Sequence, residues 1–367
     1  MDKTIANPGI NDNDDGEMCP EELKLLEEIE TVKERLDSVR QAVQDTDFFK
    51  MTEHVKELGR LKFKICKQLR AHLSKVTSLD WASDSQLLVT ASQDGKLIVW
   101  DTHSGNKLHM IPLNVAWVIG CGFAPSCRFV CSGGLDNLIS VFDLQTPSGP
   151  EAPCIELNGH NGYVSSCKFQ SDECIISASG DKSCAFWNLE SNRILSTYNG
   201  HENDVTCLDV NKKDPNIFVT ASADKTCRLW DVRIPLRYVQ VFEGHEQDVN
   251  GVGFFPECSF GFVSASDDRA CRLWDIRSDQ CIAIYSDDYI KSGSTSVTLS
   301  KSGRILIAGY DDYICHAWDL LREERVGMLS AHDGRISGVK VSPDGVAIAT
   351  CSWDTTCLIW TSKRKGK

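Results

Sequence analysis

The sequence predicts an all-β fold, a seven-bladed β-propeller, preceded by a coiled-coil α-helix. An aspartate is followed six positions later by tryptophan or phenylalanine seven times, and these aromatic residues recur at intervals of 42 to 45 residues. In five repeats a histidine lies 21 to 23 residues before the aspartate. This period and these residue types are typical of four-stranded propeller blades. The pairs are Asp94/Trp100, Asp136/Phe142, Asp181/Trp187, Asp224/Trp230, Asp268/Trp274, Asp312/Trp318 and Asp354/Trp360, and the histidines are His72, His160, His201, His245 and His332.

The length and charge fit one ring of repeats with an N-terminal extension. The chain has 367 residues, and a ring reaches this size because each blade packs only on its neighbours. The net charge is −13, and residues 1–30 contribute −8 of it with ten acids and two lysines. Without a basic surface, we expect no nucleic-acid binding. No apolar run is long enough to cross a membrane.

The 17 cysteines are expected to be free thiols in a reducing compartment, because the first residues do not resemble a secretion signal. Five of them stand three residues after a blade aspartate, where the first two blades have Leu97 and Ile139. A position that accepts Cys, Leu or Ile is a packing position, so we predict that these cysteines are buried. They are Cys184, Cys227, Cys271, Cys315 and Cys357.

The chain divides into five predicted segments. Residues 1–19 are acidic and expected to be disordered. Residues 20–45 are predicted to form the helix and 46–70 a connector of uncertain structure. Residues 71–361 are predicted to form the propeller, and 362–367 a basic tail.

The predicted helix carries an apolar seam whose members are spaced alternately by four and three residues. This heptad spacing favours pairing with a helix of another chain over packing on the chain's own propeller, which is the alternative. Three heptads form only a marginal coiled coil, so the partner must also contact the propeller. The seam residues are Leu25, Ile29, Val32, Leu36, Val39 and Val43.

The repeated polar residues are predicted to stabilise the blades. A buried polar group needs a hydrogen-bond partner, so we expect each aspartate to accept from its histidine. We expect the tryptophan to donate to a serine two residues before the aspartate, namely Ser92, Ser179, Ser222, Ser266 or Ser352. A catalytic Ser-His-Asp set would occur once, whereas this one recurs. Blade 2 has Asn114 and blade 6 has Ile290 at the histidine position, so both should lack part of the network. We predict no enzyme activity, metal or cofactor.

Two sets of equivalent loop positions vary from blade to blade in a way that folding does not require. We expect both loops on one rim, where aromatic anchors and charges of both signs would suit protein recognition; the alternative is ordinary variation of solvated loops. The position three residues after the histidine holds Lys75, Trp117, Tyr163, Asp204, Asp248, Gly293 and Arg335. The position before the aspartate holds Gln93, Leu135, Gly180, Ala223, Asp267, Asp311 and Trp353.

Over about residues 20–361 the chain resembles the β subunit of heterotrimeric G proteins, a WD-repeat family. The resemblance rests on the heptad helix followed by seven blades, on the missing blade-2 histidine, and on three segments: Ser92–Lys96, Gly133–Asn137 and Ala308–Asp312. It implies a non-enzymatic protein whose helix pairs permanently with a small prenylated γ subunit. It also implies that one propeller face binds either the GDP-bound α subunit or, after receptor-triggered exchange, effectors.

The resemblance further implies a location at the cytoplasmic face of the plasma membrane, through lipidated partners, and in the cytoplasm. The alternative is a propeller scaffold or substrate receptor, which would need no γ subunit. The family's contact positions fall on Lys75, Lys96, Ile98, Lys107, Trp117, Ile119, Leu135, Asn137, Tyr163, Asp204, Asp248, Asn250, Asp267, Arg335 and Trp353. Thr77, Thr206 and Ile119 depart from the family's usual Tyr, Met and Met, which changes the bulk at this face.

Overall fold

The computed structural model describes residues 28, 31, 32, 35 and 52–362, apart from 147, 148, 151, 236 and 279. The chain forms two compact units, Met1–Glu53 and His54–Lys367. In the first unit, Glu28, Thr31, Val32 and Arg35 are helical and exposed, and Thr52 and Glu53 are the other described residues. The acidic segment, the other five seam residues and the basic tail after Ser362 lie outside the described residues. The coiled coil therefore stays a prediction.

The second unit is the predicted propeller: within the described residues, 28 strands form seven antiparallel sheets of four strands each. Blade 1 comprises β2 (Val76–Trp81), β3 (Leu87–Ser92), β4 (Lys96–Asp101) and β5 (Lys107–Pro112); blade 2 comprises β6 (Val118–Phe123), β7 (Phe129–Gly134), β8 (Leu138–Asp143) and β9 (Ile155–Asn158). Blade 3 comprises β10 (Val164–Phe169), β11 (Cys174–Ser179), β12 (Ser183–Asn188) and β13 (Arg193–Asn199); blade 4 comprises β14 (Val205–Val210), β15 (Ile217–Ser222), β16 (Cys227–Asp231) and β17 (Gln240–Phe242); blade 5 comprises β18 (Val249–Phe254), β19 (Gly261–Ser266), β20 (Cys271–Asp275) and β21 (Gln280–Tyr285). Blade 6 comprises β22 (Ser294–Leu299), β23 (Ile305–Tyr310), β24 (Ile314–Asp319) and β25 (Glu324–Ser330); blade 7 comprises β26 (Ile336–Val341), β27 (Ala347–Ser352), β28 (Thr356–Ser362) and, from the start of the chain, β1 (Phe63–Arg70).

The hydrophobic core lies between neighbouring blades. The second and third strands of each blade are buried along most of their length, because a blade has neighbours on both faces. One cluster joins Val89 and Val99 of blade 1 to Cys121 and Phe142 of blade 2. The first strands of successive blades contact one another around the ring, including β26 with β2. These first strands therefore surround the centre of the propeller.

The cysteines predicted to pack in the core do so. Cys184, Cys227, Cys271, Cys315 and Cys357 are at most 1% exposed, as are Leu97 and Ile139 at the same position of blades 1 and 2. All five thiols are free. Burial raises the pKa of Cys271 to about 11, so this thiol stays protonated and unreactive at neutral pH.

The ring is closed by a strand from the segment that was predicted to be a connector. β1 pairs antiparallel with β28, and Leu69, opposite Cys357, is only 2% exposed. The propeller therefore begins at Phe63 rather than residue 71. This strand was not predicted from the sequence, because it carries basic residues at Lys64 and Lys67 and has a register shift between Ile65 and Lys67. It is an edge strand, most of whose side chains face solvent.

Among the described residues, no helix combines the length and hydropathy needed to cross a membrane.

Candidate protein-interaction face

Five blades carry the same buried network. The histidine Nδ1 lies 2.7 to 3.1 Å from the aspartate Oδ2, as expected. The histidine Nε2 lies 2.6 to 2.8 Å from a hydroxyl oxygen, which also accepts from the tryptophan indole N–H at 2.7 to 2.9 Å. Because Nδ1–H donates to the carboxylate, the other nitrogen of the neutral imidazole, Nε2, is an acceptor, and the hydroxyl donates to it. Histidine, hydroxyl and tryptophan thus form one satisfied chain.

The tryptophans of this network do not donate to the serines that the sequence predicted, so that expectation is wrong. Each indole N–H donates to a hydroxyl four residues before the aspartate, and not to the serine two residues before it. The observed pairs are Trp100–Thr90, Trp187–Ser177, Trp230–Thr220, Trp274–Ser264 and Trp360–Thr350. The expected partners Ser92, Ser179, Ser222, Ser266 and Ser352 instead accept from the backbone N–H of the aspartate.

Strand register explains the change of acceptor. In blade 1, Trp100 stands opposite Leu88. Thr90 is the diagonal neighbour on the same face, whereas Ser92 is about 13 Å further along the strand than Leu88. The same register places Trp230 opposite Phe218, Trp274 opposite Phe262 and Trp360 opposite Ile348. In each case the residue two positions further along carries the hydroxyl that the indole reaches.

The network tryptophans belong to the core of the blades and not to their surface. Trp230 and Trp274 are 1% exposed and Trp360 is 4% exposed. Trp230 packs on Phe218, and Trp274 packs on Phe262, in stacked arrangements with ring centroids 6.2 and 6.3 Å apart. These side chains therefore have the structural role that the sequence predicted and cannot contact a partner.

Blades 2 and 6 lack parts of this network, as predicted. In blade 6, Ile290 replaces the histidine and Ala308 replaces the hydroxyl residue. The indole N–H of Trp318 consequently makes no hydrogen bond to a hydroxyl equivalent to those of the other blades. In blade 2, Asn114 and Phe142 replace the histidine and the tryptophan, while Ser132 keeps the hydroxyl position.

The two variable loops lie side by side on one rim, which confirms their expected juxtaposition. In every blade, the backbone N–H of the residue before the aspartate donates to the carbonyl of the residue three positions after the histidine position, at 2.9 to 3.4 Å. The donor–acceptor pairs are Gln93–Lys75, Leu135–Trp117, Gly180–Tyr163, Ala223–Asp204, Asp267–Asp248, Asp311–Gly293 and Trp353–Arg335. We call this rim, with the ends of the first strands beside it, the interaction face.

Opposite charges are fixed in position where blades 6, 7 and 1 meet on the interaction face. Lys75 Nζ lies 3.7 Å from the centroid of the Trp353 ring, and Arg335 Cζ lies 5.1 Å from it. Arg335 Nε also pairs with Asp311 Oδ1 at 2.7 Å. Burial raises the pKa of Asp311, and Asp267 adds to this effect while Arg335 opposes it. The aromatic ring thus holds two cations, one of them paired with a carboxylate.

Polar residues on the other side of the face are also held by their neighbours. The Tyr163 hydroxyl donates to Asp204 Oδ2 at 2.9 Å, and burial together with this carboxylate raises the pKa of Tyr163 to about 12. Asn250 Nδ2 donates to Asp267 Oδ1 at 2.6 Å. These bonds reduce the side-chain entropy that a partner would otherwise remove on binding.

Apolar side chains project from the blade-2 part of the face. Trp117 is 52% exposed and Leu135 is 49% exposed. The backbone of Trp117 has φ 72°, a conformation that bulky residues rarely adopt. Gly134 allows this loop to approach, since a Cβ there would lie 2.7 Å from the Trp117 carbonyl oxygen. Strain of this kind is commonly found at functional sites.

A set of hydrogen bonds between blades lies below the rim. The second residue of the first strand donates from its side chain to the carbonyl of the first residue of the next blade's first strand. The pairs are Thr77–Val118, Ser165–Val205, Thr206–Val249, Asn250–Ser294, Thr295–Ile336 and Ser337–Val76, at 2.5 to 3.1 Å. Blade 2 has Ile119 at this position and cannot donate. Thr77 and Thr206 therefore link neighbouring blades through these hydrogen bonds, and they also change the side-chain bulk at the interaction face.

Comparisons with known proteins agree with this architecture. The family described as G protein beta WD-40 repeat protein matches residues 19–361. The chain is 47% identical over 336 residues to the guanine nucleotide-binding protein G(I)/G(S)/G(T) subunit beta-1 of Homarus americanus, covering 92% of this chain and 98% of the relative. It has the same identity and coverage with the guanine nucleotide-binding protein subunit beta of Lymnaea stagnalis.

The chain belongs to the G-protein β-subunit family. As a member of the β-subunit family, it is a non-enzymatic component of heterotrimeric G-protein signalling. The match covers all seven blades and begins ahead of the predicted helix.

Most of the contact positions expected from the β-subunit family are accessible. Lys107, Trp117, Leu135, Asp248 and Trp353 are exposed, and the others except Ile98 are partly exposed.

Ile98 is the exception. Its side chain is fully buried in a cluster with Leu88 and Trp100, so the expectation that it contacts a partner is wrong for this structure. The continuous apolar run Leu97–Trp100 is the sequence signal that indicates this burial, because a strand covered on both faces does not alternate between apolar and polar residues.

The described residues contain no group of three or more His, Cys, Asp or Glu side chains arranged to hold a metal ion.

Proposed function

We propose that the chain pairs with a γ subunit through its N-terminal helix and binds a GDP-bound α subunit through the interaction face. After nucleotide exchange on α, the chain, still paired with γ, contacts effectors through the same face. Receptor signals therefore reach effectors only when α has left. We further propose that the complex resides at the cytoplasmic face of the plasma membrane, held there by its lipidated partners, with some in the cytoplasm.

The observation that carries this proposal is the preorganised interaction face in a chain of the β-subunit family. Trp117 offers a large exposed ring beside Leu135, which suits an anchor at the centre of an interface. Lys75 and Arg335 on Trp353 provide positive charge, while Asp204, Asp248 and Asp267 provide negative charge elsewhere on the rim. A partner with charges of both signs would bind in one orientation.

One surface that serves two partners requires that they exclude each other. The aromatic anchors and the fixed charges lie on a single rim, so a bound α subunit would cover the groups that an effector needs. This explains how α can silence the complex without changing its fold.

A pull-down from native cell extract tests the proposal. The baits are the full-length chain, a double variant of the seam (Ile29→Asp with Leu36→Asp), and the control Thr31→Ala, which changes an exposed helical residue off the seam. We expect the wild-type and control baits to recover a small prenylated protein, and the seam variant to lose it because a buried carboxylate disrupts helix pairing.

The same experiment tests the α subunit through its nucleotide. A GTPase should be recovered in the presence of GDP and released by a non-hydrolysable GTP analogue. If all baits recover the same proteins and the nucleotide has no effect, the chain is a scaffold propeller that needs no γ subunit.

A further inference from the structure

Blade 2 has a cavity where five other blades hold a histidine and a tryptophan. It has a volume of about 200 Å³ and opens beside Trp117 and Leu135 on the interaction face. Ser132, Asp136 and Phe142 are among the residues that line it. A water molecule occupies about 30 Å³ in the liquid, so the cavity has room for a ring-sized group.

Two polar side chains in this cavity lack the partners that their counterparts have. Ser132 is only 4% exposed, and its hydroxyl makes no hydrogen bond to any described residue. Among the described residues, the Asp136 carboxylate accepts only from the backbone N–H of Leu138, at 3.2 Å. Because both residues line the cavity, a polar group that entered it could form hydrogen bonds with the hydroxyl and the carboxylate.

Blade 3 shows which group fits such a site. It holds Ser177 and Asp181 four residues apart, the same residue types at the same spacing as Ser132 and Asp136. Between them lies the imidazole of His160, 3.1 Å from Asp181 Oδ2 and 2.7 Å from Ser177 Oγ. This ring also packs edge-on against the Trp187 ring, with centroids 5.7 Å apart. In blade 2, Phe142 supplies the aromatic ring at the equivalent position.

We propose that Ser132, Asp136 and Phe142 form a socket for an imidazole ring, presented by a histidine of a protein that docks on the interaction face. The presence of a docked partner rests on the proposed function, but the socket itself does not. The exposed Val115, Trp117 and Leu135 surround its mouth, so an entering histidine would sit among apolar contacts.

An imidazole satisfies the socket better than a cationic side chain does. Neutral imidazole donates from one nitrogen and accepts at the other, which matches the Asp136 carboxylate and the Ser132 hydroxyl. Ammonium and guanidinium groups only donate. Phe142 has no N–H group, so the Ser132 hydroxyl lacks the indole donor from which the equivalent hydroxyls accept a hydrogen bond.

The first test uses the full-length chain and the capped amino acid N-acetylhistidine methylamide, with binding measured by calorimetry and by thermal shift. We expect saturable binding of one equivalent to the wild-type chain. Asn114→His should place an imidazole of the chain itself in the socket. It should therefore weaken binding of the capped histidine at least tenfold and raise the melting temperature of the chain. Asn114→Gln is the matched control and should bind as wild type. Ser132→Ala and Asp136→Asn should each weaken binding at least tenfold.

Ligand analogues identify the chemistry of the site. A form of the ligand methylated at both ring nitrogens cannot donate or accept in the plane of the ring and should not bind. Equal binding of methylguanidine or methylamine would overturn the assignment to imidazole. Absence of saturable binding to the wild-type chain, or unchanged binding by Asn114→His, would overturn the socket.

A second measurement addresses the partner. Asn114→His should reduce recovery, at least threefold, of one or more proteins that the wild-type chain captures with its γ subunit. If the capped histidine binds the socket but every partner is recovered equally, the docking part of the proposal is wrong while the socket stands. If the wild-type chain binds neither an α nor a γ subunit, the proposed function is rejected instead.

Discussion

The hydroxyl of Thr77 donates to the carbonyl oxygen of Val118 at 2.7 Å and so joins the first strands of blades 1 and 2. The equivalent bond is present at five further blade junctions, and the junction after blade 2 lacks it because Ile119 has no donor. Neighbouring blades are otherwise held mainly by apolar packing, which is less directional than a hydrogen bond. These links therefore help to fix the orientation of each blade to the next.

Replacing the donor should loosen one junction. We expect Thr77→Val to lower the free energy of unfolding by about 1 kcal/mol, because the Val118 carbonyl loses a part-buried donor while the side-chain volume is kept. Thr77→Ser keeps the hydroxyl and is the control. Chemical denaturation measures both. Equal losses in the two variants would mean that the hydroxyl contributes nothing.

The histidine–aspartate pairs should contribute to stability only in blades that have the histidine. Asp224 accepts from His201 at 2.7 Å and from the backbone N–H of Glu202 at 3.1 Å. Asp224→Ala leaves a buried imidazole without its acceptor, so we expect a loss of about 1–3 kcal/mol. Asp136→Ala in blade 2, where no histidine depends on the carboxylate, should cost much less. Equal melting temperatures of Asp224→Ala and wild type would contradict the role of the network.

Acid should destabilise the propeller in two steps. Burial lowers the pKa of His72, His160 and His201, against the opposing effect of their aspartates. The unfolded chain, in which histidine has a pKa near 6.5, therefore binds more protons than the folded chain below about pH 6.5. In that range the free energy of unfolding decreases as the pH is lowered. Burial acts to raise the pKa of Asp268, but the hydrogen bond and charge interaction with His245, together with bonds from the backbone N–H groups of Ala270 and Glu246, lower it to about 2.

The carboxylate step lies at lower pH. Because the folded pKa of Asp268 lies below the unfolded value of about 4, its contribution is complete above about pH 4 and is lost as pH falls toward 2. Urea denaturation at about pH 8, 5.5 and 4 would measure the first loss before the second begins. Stability that is constant from about pH 8 to 5 would contradict the histidine step.

Trp117 should be a major contributor to partner affinity. Its side chain is half exposed, and the backbone is held in the left-handed region, so truncation removes contact area without removing core packing. We expect Trp117→Ala to weaken binding of the α subunit by about 2 kcal/mol or more, with an unchanged melting temperature. Leu73→Ala, an exposed residue of blade 1 outside the contact positions, is the control. Normal α affinity of Trp117→Ala would reject the assignment of this face.

Closure of the ring should depend on β1. Leu69 is buried in a core cluster with Trp100 and Ile359. We expect Leu69→Ala to cost about 2–5 kcal/mol, as large-to-small changes in cores do. Ile65, in the same strand but 37% exposed, should tolerate alanine with a loss below about 1 kcal/mol. If both changes cost the same, β1 does not complete blade 7 in solution.

The sequence alone determined the number of blades, the histidine–aspartate pairs, the buried cysteines and the two loops of the rim. Repetition made this possible: a residue type that returns every 42 to 45 residues reports one local environment seven times. The gaps in blades 2 and 6 were predicted for the same reason. A departure is visible only against a repeated pattern.

Tertiary structure alone decided which groups meet. The acceptor of the tryptophan N–H depends on strand register, which places Thr90 rather than Ser92 beside Trp100. The strand β1 lies almost 300 residues from its partner β28, and no local pattern links them. The burial of Ile98 and the links between blades depend on how one blade packs against the next. Local periodicity determines the strands and the repeated residues of each blade. Long-range packing determines which atoms form hydrogen bonds, which are buried and which are accessible to a partner.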